Sequence, residues 1–377
     1  MSIFDQIIDL RDVNSYKWDK YADPDVIPVW VADMDFAPAP AITEALNRVT
    51  QKGFFGYTHV PDELTEVMIQ HLKTKHGWEV KKEWFLWFPG LVPGIALAIR
   101  GLTPEGAGVM MTPPVYHPFM LETRSAERVL QKVPLCEKDN RWTFDFDKIK
   151  ASIIPETKLF LLCNPHNPGG TVFSREELQQ LLDICLENNI LICSDEIHCD
   201  LILDETKHHI SIATLSEEAA QNSITLLAPS KTFNIAGLGC SLAVIPNDEL
   251  RAKFIKAKAG LLTAVSGHAY EAALASYRDG AEWHKELLVY LRQNYKLVDQ
   301  AVQECKGLKM LPVEATYLAW IDIRQTGMSD AIQRLEKAGV GVSDGIQFDG
   351  EGFIRLNFAC PRSRLEEVLR RMKTVFV

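Results

Sequence analysis

Lys231 stands in Ala228-Pro229-Ser230-Lys231-Thr232-Phe233-Asn234-Ile235-Ala236-Gly237, directly behind the apolar run 223–227. A lysine held between a buried run and a Ser/Thr/Asn/Gly-rich loop is poorly accounted for as a solvated surface charge. Desolvation there lowers the amine's pKa and makes it a nucleophile able to form a Schiff base. Upstream, Ser194-Asp195-Glu196 ends the apolar run 190–193, and Asn164-Pro165-His166-Asn167-Pro168-Gly169-Gly170 ends a third. An amine, a carboxylate and an amide at the ends of three such runs are the groups that pyridoxal phosphate chemistry requires.

Each group has a chemical reading and a plainer one. Asp195 can accept a hydrogen bond from the cofactor's pyridine nitrogen and keep it protonated, which makes the ring a better sink for a carbanion. It also fits a helix N-cap in Asp195-Glu196-Ile197. Asn167 can donate to the ring's phenolic oxygen, or serve only as a turn former beside Pro168-Gly169-Gly170. Tyr116, in Pro113-Pro114-Val115-Tyr116-His117-Pro118, can stack on the ring from a stiff proline-rich loop, or be a surface aromatic. Pro89-Gly90-Leu91-Val92-Pro93-Gly94 follows the run 84–88 and precedes a helical stretch, 95–100. Backbone N–H groups at that helix start suit a phosphate, helped by Ser230. In Phe353-Ile354-Arg355-Leu356-Asn357-Phe358, alternation puts Ile354, Leu356 and Phe358 on one face and Arg355 and Asn357 on the other. An arginine fixed on a strand can clamp a carboxylate through two parallel hydrogen bonds. A solvated arginine on a half-exposed strand is the alternative.

The elements that must position these residues are legible as short apolar runs at 84–88, 109–112, 158–163, 190–194, 223–228 and 240–245, alternating with helical patterns. Continuous rather than alternating hydrophobicity predicts strands buried on both faces of a mostly parallel sheet. Ser174-Arg175-Glu176-Glu177 reads as a capping box, with Leu178, Leu181, Leu182 and Cys185 following on one helical face. The unit is strand–helix–strand, which implies a parallel pair with a right-handed crossover. In open sheets of this kind, ligands gather outside the carboxyl ends of the strands, where these residues fall. Farther on, Leu287, Leu291, Val298, Val302 and Cys305 mark a long amphipathic helix. Strands are predicted near 317–323 and 353–358, and a last helix opens at a second capping box, Ser363-Arg364-Leu365-Glu366.

With 377 residues, the chain exceeds what one core usually holds. The expected division is an N-terminal segment 1–45, a large cofactor domain 46–285 and a small α/β domain 286–377, with the first segment packing on the last. A net charge of −10, with 47% hydrophobic and 24% charged residues, argues for a soluble protein and against nucleic acid as a partner. No run of about 18 apolar residues predicts a membrane span, and the first residues carry acids where a signal peptide would carry bases. The eight cysteines form no C-x-x-C pair and read as small buried hydrophobes of a reducing compartment. The expected location is the cytoplasm.

Taken together, the chain resembles the fold-type I pyridoxal phosphate enzymes of the class I/II aminotransferase superfamily over essentially its whole length. More narrowly, it is similar to their MalY/PatB-type cystathionine β-lyase branch. That likeness rests on Lys17-Trp18-Asp19, Trp30-Val31-Ala32-Asp33-Met34-Asp35-Phe36, Ser194-Asp195-Glu196-Ile197-His198-Cys199-Asp200 and Pro229-Ser230-Lys231-Thr232-Phe233-Asn234-Ile235-Ala236-Gly237-Leu238. The resemblance implies an α/β fold with a mostly parallel sheet in a large domain plus a smaller α/β domain. By position it makes Lys231 the Schiff-base lysine, Asp195 the ring-nitrogen partner, Asn167 the phenolic-oxygen ligand, Tyr116 the stacking ring and Arg355 the clamp on the substrate α-carboxylate. Leu91 and Val92 would offer N–H groups to the phosphate, and Ala32 would lie beside the substrate carboxylate. Tyr57, in Phe55-Gly56-Tyr57-Thr58, would reach the phosphate of a neighbouring subunit in a homodimer with a shared active site.

Two positions depart from the aminotransferase pattern: His198 replaces a usual tyrosine and Gly239 a usual arginine. His198 either tunes the phenolic oxygen or packs. Both departures fit a lyase acting on L-cystathionine or a related S-conjugate. An aminotransferase is the alternative. A regulatory protein with a protein partner is a second, although no segment signals one.

Overall fold

The computed structural model describes residues 2–11 and 13–376. Met1 and Val377, the outermost residues of the expected segments 1–45 and 286–377, lie outside the described residues, as does Asp12.

The six apolar runs supply six strands of a seven-stranded sheet: β1 (Phe85–Phe88), β2 (Gly108–Met111), β3 (Val129–Lys132), β4 (Thr157–Cys163), β5 (Leu191–Asp195), β6 (Ser223–Leu227) and β7 (Ser241–Val244), in spatial order β1-β7-β6-β5-β4-β2-β3. The partly exposed edge strand β3 is the one that no apolar run marked. The pairs β6–β5, β5–β4, β4–β2 and β2–β3 are parallel. Only β7 runs against its neighbours, β1 and β6. Because β7 opposes both, β1 points the same way as the parallel strands. The carboxyl ends of β1, β2, β4, β5 and β6 therefore share one edge.

Every residue of β2, β6 and β7 is buried, which is why these runs read as continuously apolar: helices cover both faces. Each fully buried Leu, Ile or Val contributes about 1.5–3 kcal/mol. The helix Arg175–Glu187 between β4 and β5 opens on the predicted capping box, with Ser174 accepting from the Glu177 N–H and Glu177 accepting from the Ser174 N–H. Leu178, Leu181, Leu182 and Cys185 are buried under it.

A second, antiparallel sheet comprises β8 (Lys309–Met310), β9 (Leu318–Asp322), β10 (Ser343–Asp344) and β11 (Phe353–Asn357), ordered β8-β9-β11-β10. N-terminal residues join this part of the chain. Ile27–Pro28 pairs with Val340–Gly341, and Phe4, Val29, Met34, Phe36 and Ile42 share a core cluster with Leu291, Leu318, Leu356 and Leu365. The long helix Ala281–Glu304 buries Leu287, Leu291, Val298 and Val302 as expected, and position 285/286 falls within it.

Two local expectations are corrected. The helix after Gly90 begins at Leu91, not near 95. Pro93 is tolerated there because the first turn requires no N–H bond from it. The last helix begins at Arg362 with Pro361 at its N-cap and no side-chain cap bond, so Ser363 and Glu366 form no capping box. The Pro361 carbonyl takes the first helical bonds, from the N–H groups of Arg364 and Leu365 at 2.9 and 3.0 Å, which leaves Ser363 already inside the first turn.

Candidate active site

A cavity of about 350 Å³ opens at the shared strand edge. Ala32, Leu91, Val92, Tyr116, Asn167, Asp195, His198, Ser230, Lys231 and Arg355 all line it. Of the residues the sequence nominated, only Tyr57 lies elsewhere, 96% exposed on the surface.

Lys231 follows β6 in the turn between Leu227 and Asn234. Its buried Nζ donates to the Ala32 carbonyl at 2.6 Å. Desolvation pulls its pKa down, with Arg355 adding to the effect and Asp33 and Asp195 opposing it. Asn234 holds the loop in register: its Oδ1 accepts from Met34 N–H, and its Nδ2 donates to the Met34 and Phe36 carbonyls. The residue has φ +56, a left-handed conformation that asparagine tolerates.

Asp195 ends β5 and is 2% exposed. One oxygen accepts from Ile197 N–H at 3.1 Å, closing a turn rather than the expected helix N-cap, since no helix follows β5 at this point. Burial pushes its carboxyl up to about 7. A carboxyl so placed calls for a cationic partner in the cavity.

Arg355 is 5% exposed on β11, which is buried on both faces rather than half-solvated. One guanidinium nitrogen donates to Asn167 Oδ1 at 3.0 Å and the other to the Trp30 carbonyl at 2.9 Å. Phe348 lies 4.4 Å from its centre, and its Nε is buried without a partner. Desolvation pulls its pKa down to about 10. Its neighbour Asn357 donates to the Val31 and Asp33 carbonyls, both at 2.7 Å, fixing the segment that presents Ala32.

Burial pushes the Tyr116 phenol up to about 12. His198 is held neutral, near 3, first by burial and then by Lys231 and Arg355. Its Nδ1 has no partner, and its ring meets Tyr317 edge-on with centroids 6.0 Å apart. The helix Leu91–Leu102 starts at the cavity wall behind Gly90, whose φ of +90 favours glycine. Leu91 and Val92 of its first turn line the cavity with Ser230, and the free N–H groups of a helix start suit an anion. At Gly239, also lining the cavity, a Cβ would meet only Pro89 at 3.9 Å. Its φ of +63, not crowding, marks the position as glycine's.

Several residues of the site escaped the sequence reading. Buried Tyr317 donates to the same Ala32 carbonyl as Lys231, at 3.1 Å. Phe348 backs the arginine, and Asp33 lies close enough to raise the lysine's pKa. Asp33 and Asn234 sat in quoted motifs without a role, whereas nothing in the sequence pointed to Tyr317 or Phe348.

These residues fit pyridoxal phosphate. An amine whose pKa burial lowers, a buried acid whose pKa burial raises, the start of a helix and a tyrosine surround one cavity.

The aminotransferase class I and II family profile matches residues 24–372. Cystathionine beta-lyase PatB of Bacillus subtilis (strain 168) is 39% identical over 98% of both chains. The solved structure of OvoB superposes with a TM-score of 0.97 at 45% identity, covering 99% of both chains. Cystalysin from Treponema denticola, which contains pyridoxal 5'-phosphate, superposes at 0.94 with 33% identity, covering 99% of this chain and 98% of that one. The chain belongs to the class I and II aminotransferase family, among its PatB-like members.

Proposed function

We propose that the protein is a pyridoxal phosphate-dependent carbon–sulfur β-lyase that cleaves L-cystathionine or a related cysteine S-conjugate to a thiol, pyruvate and ammonia. The cofactor reading is carried by one observation: Lys231, its pKa lowered by burial, and Asp195, its pKa raised by burial, line a single cavity. The lyase outcome, rather than amino transfer, is supported by full-length similarity to PatB.

Lys231 would hold the cofactor's aldehyde carbon, Asp195 its ring nitrogen, Tyr116 its face and Asn167 its phenolic oxygen. The N–H groups of Leu91 and Val92, with Ser230, would take the phosphate. Bound there, the cofactor supplies an electron sink for the substrate's Cα carbanion. Arg355 receives the α-carboxylate against Ala32, the fork making two parallel bonds. The Lys231 amine would take the Cα proton as general base, a role suited to an amine with a lowered pKa. The Cβ–S bond then breaks, the thiolate departs, and the three-carbon remainder hydrolyses to pyruvate and ammonia. Buried, neutral His198 keeps a second positive charge away from the ring.

Among the described residues lining the cavity, Lys231 and Arg355 are the only lysine and arginine. A dicarboxylic substrate side chain therefore finds no second clamp within this chain. We assign the chain to a cytoplasmic homodimer in which Tyr57 of one chain reaches the phosphate of the other. The exposed Phe54, Phe55 and Tyr57 and eight free cysteines support that setting. No helix among the described residues is long and apolar enough to cross a membrane. The division into 1–45, 46–285 and 286–377 is proposed on the same footing, the two sheets each centring one body.

The test is to incubate the purified holoenzyme with L-cystathionine and no 2-oxo acid. Pyruvate and free thiol should appear together. Amino transfer that needs a 2-oxo acid and releases no thiol would sink the proposal.

A further inference from the structure

Outside the cavity, two histidines and an aspartate converge. His71 lies in the last turns of the helix Asp62–His76 and His76 ends it; Asp200 lies in the turn that follows β5. His71 Nε2 is 3.2 and 3.1 Å from the two Asp200 carboxylate oxygens, and His76 Nε2 is 3.2 Å from Oδ1. The three ligand atoms lie within 4.8 Å of one another. Their side chains are 15%, 7% and 7% exposed.

Hydrogen bonds alone accommodate the cluster, both imidazoles donating from Nε2 to one carboxylate, and His76 Nδ1 is buried without a partner whether or not an ion is bound. As a ligand set, it is consistent. A tetrahedral zinc ion with nitrogen and oxygen ligands at about 2.0–2.1 Å has ligand–ligand edges of about 3.3 Å, close to the 3.2 Å that separates Asp200 Oδ1 from each imidazole nitrogen. Two imidazoles and one carboxylate suit that class of ion and leave a fourth position open.

A cleft of about 320 Å³ borders His71 and is flanked by Thr74, Lys75, Tyr277, Arg278 and His284. Of its two cations, Arg278 is paired with Glu63 and Asp279, leaving Lys75 as the nearby opposing charge. The ligands are also braced from outside. His284 Nε2 lies 2.6 Å from the Asp200 carbonyl, and the His71 ring packs 4.8 Å from that of Tyr277. Such outer partners orient metal ligands.

We propose that His71, His76 and Asp200 form a binding site for a divalent transition metal of the zinc class. The ion would tie the helix Asp62–His76 to the turn that carries Asp195 and His198. That turn is already knit together by Cys199 N–H to the Glu196 carbonyl at 3.0 Å and Leu201 N–H to the His198 carbonyl at 2.9 Å. Because none of the three ligands lines the cofactor cavity, the ion would hold that turn in place, with water in its fourth position, and would not touch the substrate.

The test uses the cofactor-loaded protein, stripped with a chelator and titrated with Zn²⁺ or Co²⁺ alone. One equivalent per chain should bind, the thermal midpoint should rise with Zn²⁺, and Co²⁺ should give visible bands of a four-coordinate ion. X-ray absorption at the zinc edge should read nitrogen and oxygen neighbours without sulfur, which separates this site from the eight cysteines. His76→Gln and Asp200→Asn should each weaken Zn²⁺ binding by more than about 100-fold, beyond the 10–100-fold typical of an outer-sphere change. Failure of the unmutated protein to bind one equivalent, sulfur in the shell, or unchanged affinity in both variants would overturn the site. The titration and the absorption edge decide the matter on the unmutated protein if a variant does not fold.

Discussion

Replacing Asp195 by asparagine should stabilise the cofactor-free protein while crippling the cofactor-loaded one. The carboxyl is buried, and its pKa rises from 3.8 to about 7. Burial is the largest cause, opposed by the Ile197 N–H bond and Lys231 and reinforced by Glu196. With the folded value above the unfolded one, the unfolded chain releases its proton first. Stability is therefore lost as pH rises between about 4 and 7. Roughly three pH units at 1.36 kcal/mol each make about 4 kcal/mol at pH 8.

The substituted amide cannot ionise, yet it keeps an oxygen for the Ile197 N–H that Asp195 now accepts. Urea unfolding of both cofactor-free proteins should show a stability advantage for Asp195→Asn that grows by roughly 3 kcal/mol from pH 5 to pH 8. A difference that does not change with pH, or a wild type more stable at pH 8, would refute the reasoning. In the loaded enzyme the same change removes a charge-assisted hydrogen bond worth about 1.5–3 kcal/mol, so kcat/KM should fall about 10- to 150-fold.

Arg355→Lys keeps the charge but loses the fork held by Asn167 and the Trp30 carbonyl. Steady-state kinetics should show kcat/KM down by about 10- to 100-fold, mainly through KM; a fall confined to kcat would contradict the clamp. Asp35→Ala strips the partner from buried Lys17, at 2.9 Å, and from Arg364, also at 2.9 Å. Denaturant unfolding should record a loss of about 3–5 kcal/mol, and a loss below about 1 kcal/mol would show the network to be dispensable. Gly90→Ala has room, its Cβ meeting Pro93 at 3.6 Å, so only backbone strain at φ +90 and ψ 145 opposes it. A cost of about 1–3 kcal/mol with weaker cofactor binding is expected, read by unfolding and by cofactor titration; unchanged stability would argue against the strain.

The sequence carried six strands of the large sheet because they are largely buried on both faces and burial writes itself as uninterrupted apolar runs; the partly exposed edge strand Val129–Lys132 left no such run. Site residues at strand ends were legible for the same reason: Asp195 and Lys231 follow runs whose ends the pattern marks. Arg355 was legible from alternation on β11, but its burial was not, because the second face is covered by residues 30–33 from the other end of the chain. Tyr317 and Phe348 enter the site only through tertiary packing, and no local spacing encodes that. The false capping box at Ser363 shows the converse. Its spacing was right, but Pro361 had already started the helix. His71, His76 and Asp200 are distant in sequence, and the five-residue step between the histidines is not the usual same-face spacing of a helix, so the cluster had no sequence signal.

The account rests on Lys231 as the residue that both holds the cofactor and drives carbon–sulfur cleavage. Borohydride treatment of the holoenzyme, followed by peptide mass spectrometry, tests both halves at once. The cofactor's mass should appear on Lys231, and thiol release from L-cystathionine should fall in proportion to the fraction labelled. Label on a different lysine, or cleavage that survives full labelling of Lys231, would contradict it.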